Sequence, residues 1–303
     1  MTDSVPAPSV FAIETVLGCD LRCPECALGG ERIERPRGMM SLQDFRVIAD
    51  KIRPYARYVY LHLWGEPMLN REIFSMVAYA AQFAKTNIST NGNVMTGQMA
   101  EALIASGVDD IILSIDGTTQ EVYGHYRVGG KAERALAALE LLQEANRRLG
   151  RKANIIPQFI VFEHNQHEME AFRDVCDRLG LRPSFKAPYI RSGLRVRPST
   201  LPQFCRPRYP DLEALKKAMA GCSNPREVFN ILLDGTVTLC CHDYNGFIRF
   251  GNIFEQDVLE IWRSESYNQT RQAIGDGNPP DFCLNYCQSY YLDNPSPVMK
   301  EER

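Results

Sequence analysis

Cys19-Asp-Leu-Arg-Cys23-Pro-Glu-Cys26 follows directly on an apolar, strand-like run, Val10 to Thr15. Three thiols at spacings of four and three residues can hold three irons of a cubane iron–sulfur cluster. The fourth iron then has no protein ligand, and an open iron is where chemistry takes place. A structural zinc site closes with a fourth ligand nearby. After Cys26 no Cys or His occurs for more than thirty residues, and the next candidate is His62.

The spacing resembles the signature of the radical S-adenosylmethionine (radical SAM) family, C-x3-C-x-φ-C. The resemblance implies a [4Fe–4S] cluster on Cys19, Cys23 and Cys26. It also implies that the amino and carboxylate groups of SAM chelate the open iron. Electron transfer then splits SAM to a 5′-deoxyadenosyl radical, which abstracts hydrogen from an unactivated C–H bond. Glu25 stands at the φ position, where the family usually has an aromatic residue. That departure leaves ligation intact and alters the packing beside the adenine.

Further polar motifs stand at strand ends. The strand-like Tyr58–Leu63 runs into Trp64-Gly65-Glu66-Pro67. This resembles the family's Gly-Glu-Pro element, in which Glu66 would accept a charge-assisted hydrogen bond from the SAM ammonium. Gly65 suits a close backbone approach. Asn87-Ile88-Ser89-Thr90-Asn91-Gly92 ends the next strand, and Ile111–Ile115 leads into Asp116-Gly117-Thr118. By resemblance Thr90, Asn91, Ser114 and Asp116 position SAM, the strand tips meeting its ribose hydroxyls. Read alone, these are turn and cap residues. Tyr123 and Arg127 lie in a Tyr-x3-Arg-x-Gly-Gly element, which implies Arg127 as partner of the SAM carboxylate. Gln158–Phe162, with Asn165 and Glu168 beyond, sits where the adenine contact would fall but lacks the usual glycines.

Strand-like and helix-like segments alternate: Val10–Thr15, Leu42–Arg53, Tyr58–Leu63, Arg71–Ala84, Asn87–Thr90, Gly97–Ser106, Asp110–Ile115, Lys131–Gly150, Asn154–Phe162, Glu168–Leu179 and Arg182–Phe185. Asn70 and Thr96 stand as N-caps, and Gly107, Gly150 and Gly180 as stop signals. Strands separated by helices imply βα units and a parallel sheet. Six strands give an α/β fold, the partial (β/α)6 barrel of radical SAM proteins. The polar motifs fall at its carboxyl edge, where such architectures place their sites.

The chain has 303 residues, 45% of them hydrophobic, and a formal net charge of −3. That supports a proper core and gives no bulk electrostatic case for nucleic acid. No leader pattern or membrane-length apolar run is visible, so a cytoplasmic protein without membrane association is expected. Ten cysteines in that compartment argue for metal or redox use rather than disulfides. The expected division is a disordered arm (1–9), a barrel (10–186), a Pro/Arg-rich linker (187–220), a C-terminal unit (221–290) and a tail (291–303). Pro188, Pro198, Pro202, Pro207 and Pro210 block regular structure in the linker, which also carries Arg191, Arg195, Arg197, Arg206 and Arg208. These arginines could hold an anionic substrate or simply be solvated.

Beyond the linker, Cys222 precedes a hairpin pattern: Val228–Leu233, Asp234-Gly235, Thr236–Leu239. Cys240, Cys241, His242 and Asp243 follow. A helix from about Asp257 to Ala273, with Leu259 and Trp262 inward, leads to Cys283 and Cys287. Four thiols from Cys222, Cys240, Cys283 and Cys287 suffice for a complete auxiliary [4Fe–4S] cluster. A zinc site on Cys222, Cys240, His242 and Cys283 is the alternative. The order of motifs resembles the SPASM and twitch extensions of radical SAM enzymes, here the shorter one-cluster form. The closing Cys-x3-Cys departs from the usual Cys-x2-Cys. Cys241 must point away from Cys240 if both lie on a strand; it is then a small buried hydrophobe or a thiol facing the substrate. Cys176 shares helical spacing with Phe172 and Leu179 and reads as core, whereas Cys205 has no assigned place.

The small one-cluster members of this family resemble dehydrogenases of aminocyclitols and sugar alcohols. The expectation is therefore a radical SAM oxidoreductase acting on a small polyol or amino-sugar-like substrate, supplied with electrons by a flavodoxin- or ferredoxin-like donor. The alternatives are an epimerase with Cys241 as hydrogen donor, a peptide-modifying SPASM enzyme, or an iron–sulfur scaffold without substrate.

Overall fold

A computed structural model describes residues 5–151, 153–189, 196–205, 208–287 and 291–292. Its centre is a nine-stranded sheet. The parallel part comprises β1 (Val10–Ile13), β2 (Tyr58–Tyr60), β3 (Lys85–Thr90), β4 (Asp110–Ser114), β5 (Asn154–Ile160) and β6 (Ser184–Lys186), paired in chain order. Between them run the helices α1 (Leu42–Ile52), α2 (Ile73–Ala80), α3 (Gly97–Ala105), α4 (Gln120–Tyr126), α5 (Ala132–Arg148) and α6 (Met169–Arg178). The six βα strands expected from the alternation are present. Helical periodicity explains the packing: α1 buries Phe45, Ile48, Ala49 and Ile52 on one face, and Ser41 caps its start by accepting from the Asp44 N–H. Thr96 does the same for α3. Cys176 and Phe172 are the buried pair of α6.

The C-terminal strands do not form a sheet of their own. β7 (Val228–Ile231) pairs in parallel with β1, Val10 opposite Val228, and β8 (Thr236–Thr238) and β9 (Arg249–Asn252) continue antiparallel from it. The hairpin thus extends the barrel sheet past β1. Burial follows: Phe11, Ile13, Phe229 and Ile231 lie in one core with Trp262 and Tyr267.

Several expectations are corrected. The helix expected over Asp257–Ala273 is two helices, α8 (Val258–Trp262) and α9 (Glu265–Gly275), because Ser264 caps the second by accepting from the Tyr267 N–H. Val258 and Ile261 point inward beside Trp262, while Leu259 is only half-buried. Asn70 caps the turn at Glu72 rather than α2 itself. The linker carries a helix, α7 (Leu212–Met219), capped by Asp211. Part of the arm is packed: the Pro6 carbonyl accepts from Trp262 Nε1 at 2.8 Å, and Val5 touches the core. Met1–Ser4, Arg191, Arg195, Arg206, Pro207 and 293–303 lie outside the described residues. Among the described residues no helix is long and apolar enough to cross a membrane.

Candidate functional site

The loop carrying Cys19, Cys23 and Cys26 leaves the carboxyl end of β1 and faces the carboxyl ends of its neighbours. Gly65 makes that juxtaposition possible. Its φ is +97°, and a Cβ there would stand 2.5 Å from the Val16 carbonyl oxygen and 2.8 Å from that of Gly18. The Gly-Glu-Pro turn is thereby pressed against the cysteine loop.

The three cysteines open onto a cavity of about 370 Å³. Glu66, Thr90, Asn91, Ser114 and Arg127 line the same cavity. Glu66 is 2% exposed. It accepts from Thr90 Oγ1 (2.6 Å) and the Met68 N–H (3.0 Å) on one oxygen, and from the Asn91 N–H (2.7 Å) on the other. One lone-pair position remains for a further donor. Desolvation pushes the Glu66 carboxyl up to about 7, which those three donors only partly offset. Asn91 donates through Nδ2 to Asp20 at 2.8 Å and stands 3.8 Å from the Cys19 sulfur. Arg127 stands 3.9 Å from the Cys23 sulfur. Burial pushes both the Cys19 and Cys23 thiols up to about 12, with Arg127 opposing the shift at Cys23. Any metal bound there must displace those protons.

Asp116 departs from the expected ribose contact. It is fully buried, does not line the cavity, and spends one oxygen on the Ile160 N–H (2.7 Å) and the other on Arg127 Nε (2.6 Å). It orients Arg127 and pins the end of β5. Asn165 and Glu168 likewise brace loops: Asn165 donates to the Asp116 and Ile160 carbonyls, and Glu168 accepts from Thr118 and Thr119. His62 does not line the cavity either, and burial holds its imidazole down to about 4.

A second cavity, about 290 Å³, is walled by Cys222, Cys240, Cys283 and Cys287 together with Met219, Pro225, Leu239, Ile274 and Phe282. Burial pushes the Cys283 thiol up to about 12 and holds that of Cys240 well above the usual thiol range. Four thiols are the donor number of a complete cubane cluster. The members of the alternative zinc set, Cys222, Cys240, His242 and Cys283, line the same cavity.

Cys240 and Cys241 lie just past β8 and part company there. Cys240 lines the second cavity and Cys241 the first. Buried Asp243 fixes this turn by accepting from Thr238 Oγ1 and from the Phe247 and Ile248 N–H groups. His242 lines both cavities and packs edge-on against Tyr189 at 5.3 Å. Trp64 closes the first cavity from the barrel side, and its Nε1 donates to the Cys241 carbonyl at 3.0 Å. Behind it, Arg35 binds Glu14 through two 2.8 Å contacts and donates to the Tyr244 carbonyl, while Glu14 accepts from the Leu233 N–H. The sequence singles out His242 only as a ligand of the alternative zinc site, and does not single out Trp64, Gln158 or Tyr189 as site residues. Trp64 and Gln158 sit inside quoted motifs; Tyr189 carries no local signal at all.

A family model of the radical SAM superfamily matches residues 13–174, and one of the SPASM iron–sulfur cluster-binding domain matches residues 222–288. The chain is 29% identical over 142 residues to the AdoMet-dependent heme synthase of Methanosarcina barkeri, covering 46% of this chain and 40% of that protein. It is 30% identical over 187 residues to the mycofactocin maturase MftC of Mycobacterium ulcerans, covering 59% and 48%. The chain therefore matches less than half the length of either relative. Among solved structures, BtrN in complex with AdoMet and 2-DOIA aligns with a TM-score of 0.57 and 18% identity over 90% of this chain and 89% of that one. Streptococcus suis SuiB bound to S-adenosylmethionine aligns with a TM-score of 0.70 and 15% identity over 95% and 77%. At such identities the likeness is one of fold.

Proposed function

The chain belongs to the radical SAM superfamily and carries a SPASM domain, and from that premise we propose that it oxidises an alcohol carbon of a small polyol or amino-sugar-like substrate, with the C-terminal cysteine site as electron acceptor. Bound to the barrel, a [4Fe–4S] cluster and SAM supply hydrogen abstraction from an unactivated carbon. The protein's part is to hold and orient. Cys19, Cys23 and Cys26 leave one iron for SAM, Glu66 offers its remaining lone pair to the ammonium, and Arg127, aimed by Asp116, faces the carboxylate. Thr90, Asn91 and Ser114 stand along the same wall. Oxidation of the substrate carbinol would remove one hydrogen atom, one electron and the hydroxyl proton, the electron being taken up by a cluster that Cys222, Cys240, Cys283 and Cys287 would hold. A flavodoxin- or ferredoxin-like protein would deliver the initiating electron.

One observation carries the oxidation reading: the four-cysteine cavity adjoins the barrel cavity, with His242 in the wall of both. An acceptor so near the substrate favours electron removal. A second reading rests on Cys241, whose residue lines the barrel cavity. A thiol there can return a hydrogen atom to the opposite face of the substrate radical and invert the centre.

The test is turnover of anaerobically reconstituted protein in deuterated water, on polyols, aminocyclitols and short peptides. Oxidation gives a carbonyl without solvent deuterium and survives Cys241→Ala. Epimerisation gives one new C–D bond and is lost in Cys241→Ala. Absence of 5′-deoxyadenosine with reductant and SAM would remove both readings.

A further inference from the structure

Behind the wall of the four-cysteine cavity lies a buried cation that has no anion beside it among the described residues. Arg271, on α9, is 7% exposed. Its guanidinium lies over both the Trp262 and Tyr267 rings, 3.9 and 3.8 Å from their centroids, in the corner that these two rings make at 73°. It donates to the Pro225 and Trp262 carbonyls and to Asn268 Oδ1, all neutral. Nη2 of Arg271 and the hydroxyl of fully buried Tyr267 face each other, and among the described residues neither makes a well-formed hydrogen bond to any further group. Burying an uncompensated charge is costly. Aromatic faces, carbonyls and the tyrosine hydroxyl offset part of that cost, yet a buried guanidinium surrounded only by neutral groups is unusual.

Their position supplies the explanation. Pro225, which accepts from Arg271 Nε, lines the four-cysteine cavity, and so does Ile274, one helical turn beyond Arg271. Tyr267 lies within the field of the Cys240 sulfur. A cluster held by four thiolates is an anion and becomes more negative on reduction. A buried positive charge and a hydroxyl donor behind it favour the reduced form; hydrogen bonds, net charge and solvent exposure set such potentials.

We propose that Arg271 and Tyr267 form a buried electropositive backing that raises the reduction potential of the auxiliary cluster, making it an electron acceptor. This rests on the reading of Cys222, Cys240, Cys283 and Cys287 as a cluster site. Neither residue is catalytic; both act on the cluster's charge.

The experiment is a redox titration of the full-length, doubly reconstituted protein, following by electron paramagnetic resonance the signal that SAM does not perturb. Arg271→Gln is expected to lower the reduced-to-oxidised ratio at fixed poise at least tenfold, 59 mV for one electron. Tyr267→Phe, which keeps the stacked ring and loses only the hydroxyl, lowers it less. Arg271→Lys keeps the charge and loses the planar stack, so it retains the wild-type potential while unfolding at lower denaturant. A merely structural arginine would give the reverse: stability lost in all three variants, potential constant. Ratios within twofold of wild type in Arg271→Gln overturn the proposal. Tyr267→Phe decides by the same criterion should Arg271→Gln not fold. A wild-type chain holding the irons of one cubane only overturns the cluster reading itself, and this inference with it.

Discussion

Beside the apolar cluster that packs on Cys19, Cys23 and Cys26 stands a wall of charged and amide groups already wired to one another: Asn91 to Asp20, Thr90 to Glu66, Arg127 to Asp116. Around Cys222, Cys240, Cys283 and Cys287 the wall has no carboxylate and no guanidinium: Met219, Pro225, Leu239, Ile274 and Phe282 stand with Ser223, Asn224 and His242. The count of thiols differs in step. Three thiols beside a preassembled polar wall suit a cluster that must accept and release an organic ligand. Four thiols in an enclosure without charged side chains suit one that stays and only gains or loses an electron. Arg271, 7% exposed behind that wall, acts where the local dielectric is low.

The largest effect that can break this contrast is loss of one ligand. Cys23→Ala is expected to lower bound iron from about eight to about four per chain. It should also remove the SAM-perturbed paramagnetic signal and abolish 5′-deoxyadenosine formation. Cys283→Ala is expected to remove the other signal. If either variant loses both signals together, the two regions are not separate sites.

Next in size is the clasp between the regions. Glu14 is fully buried and Arg35 is its cation, while the Leu233 and Tyr244 backbones on the C-terminal side complete the network. Arg35→Ala leaves a carboxylate in the core beside β1. Breaking a buried pair from one side costs about 3–5 kcal/mol. Urea unfolding should show a midpoint lowered accordingly, with an unchanged slope. A loss under about 1 kcal/mol would mean that water replaces the arginine and that the two regions are held by strand pairing alone.

Glu66 sharpens the contrast through pH. Its carboxyl is raised from 4.5 to about 7 by burial. The folded chain therefore keeps this proton across a window in which the unfolded chain has lost it. Stability of the cluster-free protein falls as pH rises from about 4.5 to about 7, by up to about 3 kcal/mol from this group. Below that window both states are protonated and the effect vanishes. Glu66→Gln removes the slope. Subtracting its stability–pH curve from the wild-type curve isolates the contribution, and a flat difference would show that Glu66 ionises normally in the fold.

Local signals made the barrel readable. Thr96 and Ser41 cap by side-chain chemistry, Gly65 and Gly107 mark positive φ, and the apolar periodicities of α1 and β5 mark their buried faces. The first cysteine set is legible because close spacing along the chain survives folding as proximity; the second, spread over residues 222–287, is legible through the order of its motifs and their resemblance to SPASM extensions. What could not be read is non-local. That β7 joins β1 is a pairing across more than two hundred residues, and no local pattern encodes a partner. Asp116 looked like a cavity residue because strand tips face outward; the Ile160 N–H and Arg127 capture it instead. The break at Ser264 was missed because hydrophobic spacing runs on through it while the serine hydroxyl starts a new helix.

The smallest effect tests the contact nearest the partition. Trp64 belongs to the barrel, immediately before Gly65 and Glu66, yet its indole N–H is spent on the Cys241 carbonyl. Trp64→Phe keeps most of the ring's packing against Tyr244, 5.6 Å away and edge-on, and deletes one hydrogen bond. The expected loss is about 1 kcal/mol, since a neutral bond at a half-buried site is worth roughly 0.5–1.5 kcal/mol. Its consequence should be local. The Cys240–Cys241 turn keeps its Asp243 bonds, so four-cysteine iron is retained, while Cys241, released on its barrel side, reacts faster with iodoacetamide than in the wild type. Buried Cys176 is the internal reference for intact folding and exposed Cys205 for reagent activity. An unchanged Cys241 rate would mean that Asp243 alone sets the parting of the two thiols, and that the barrel contributes nothing to which cavity each one faces.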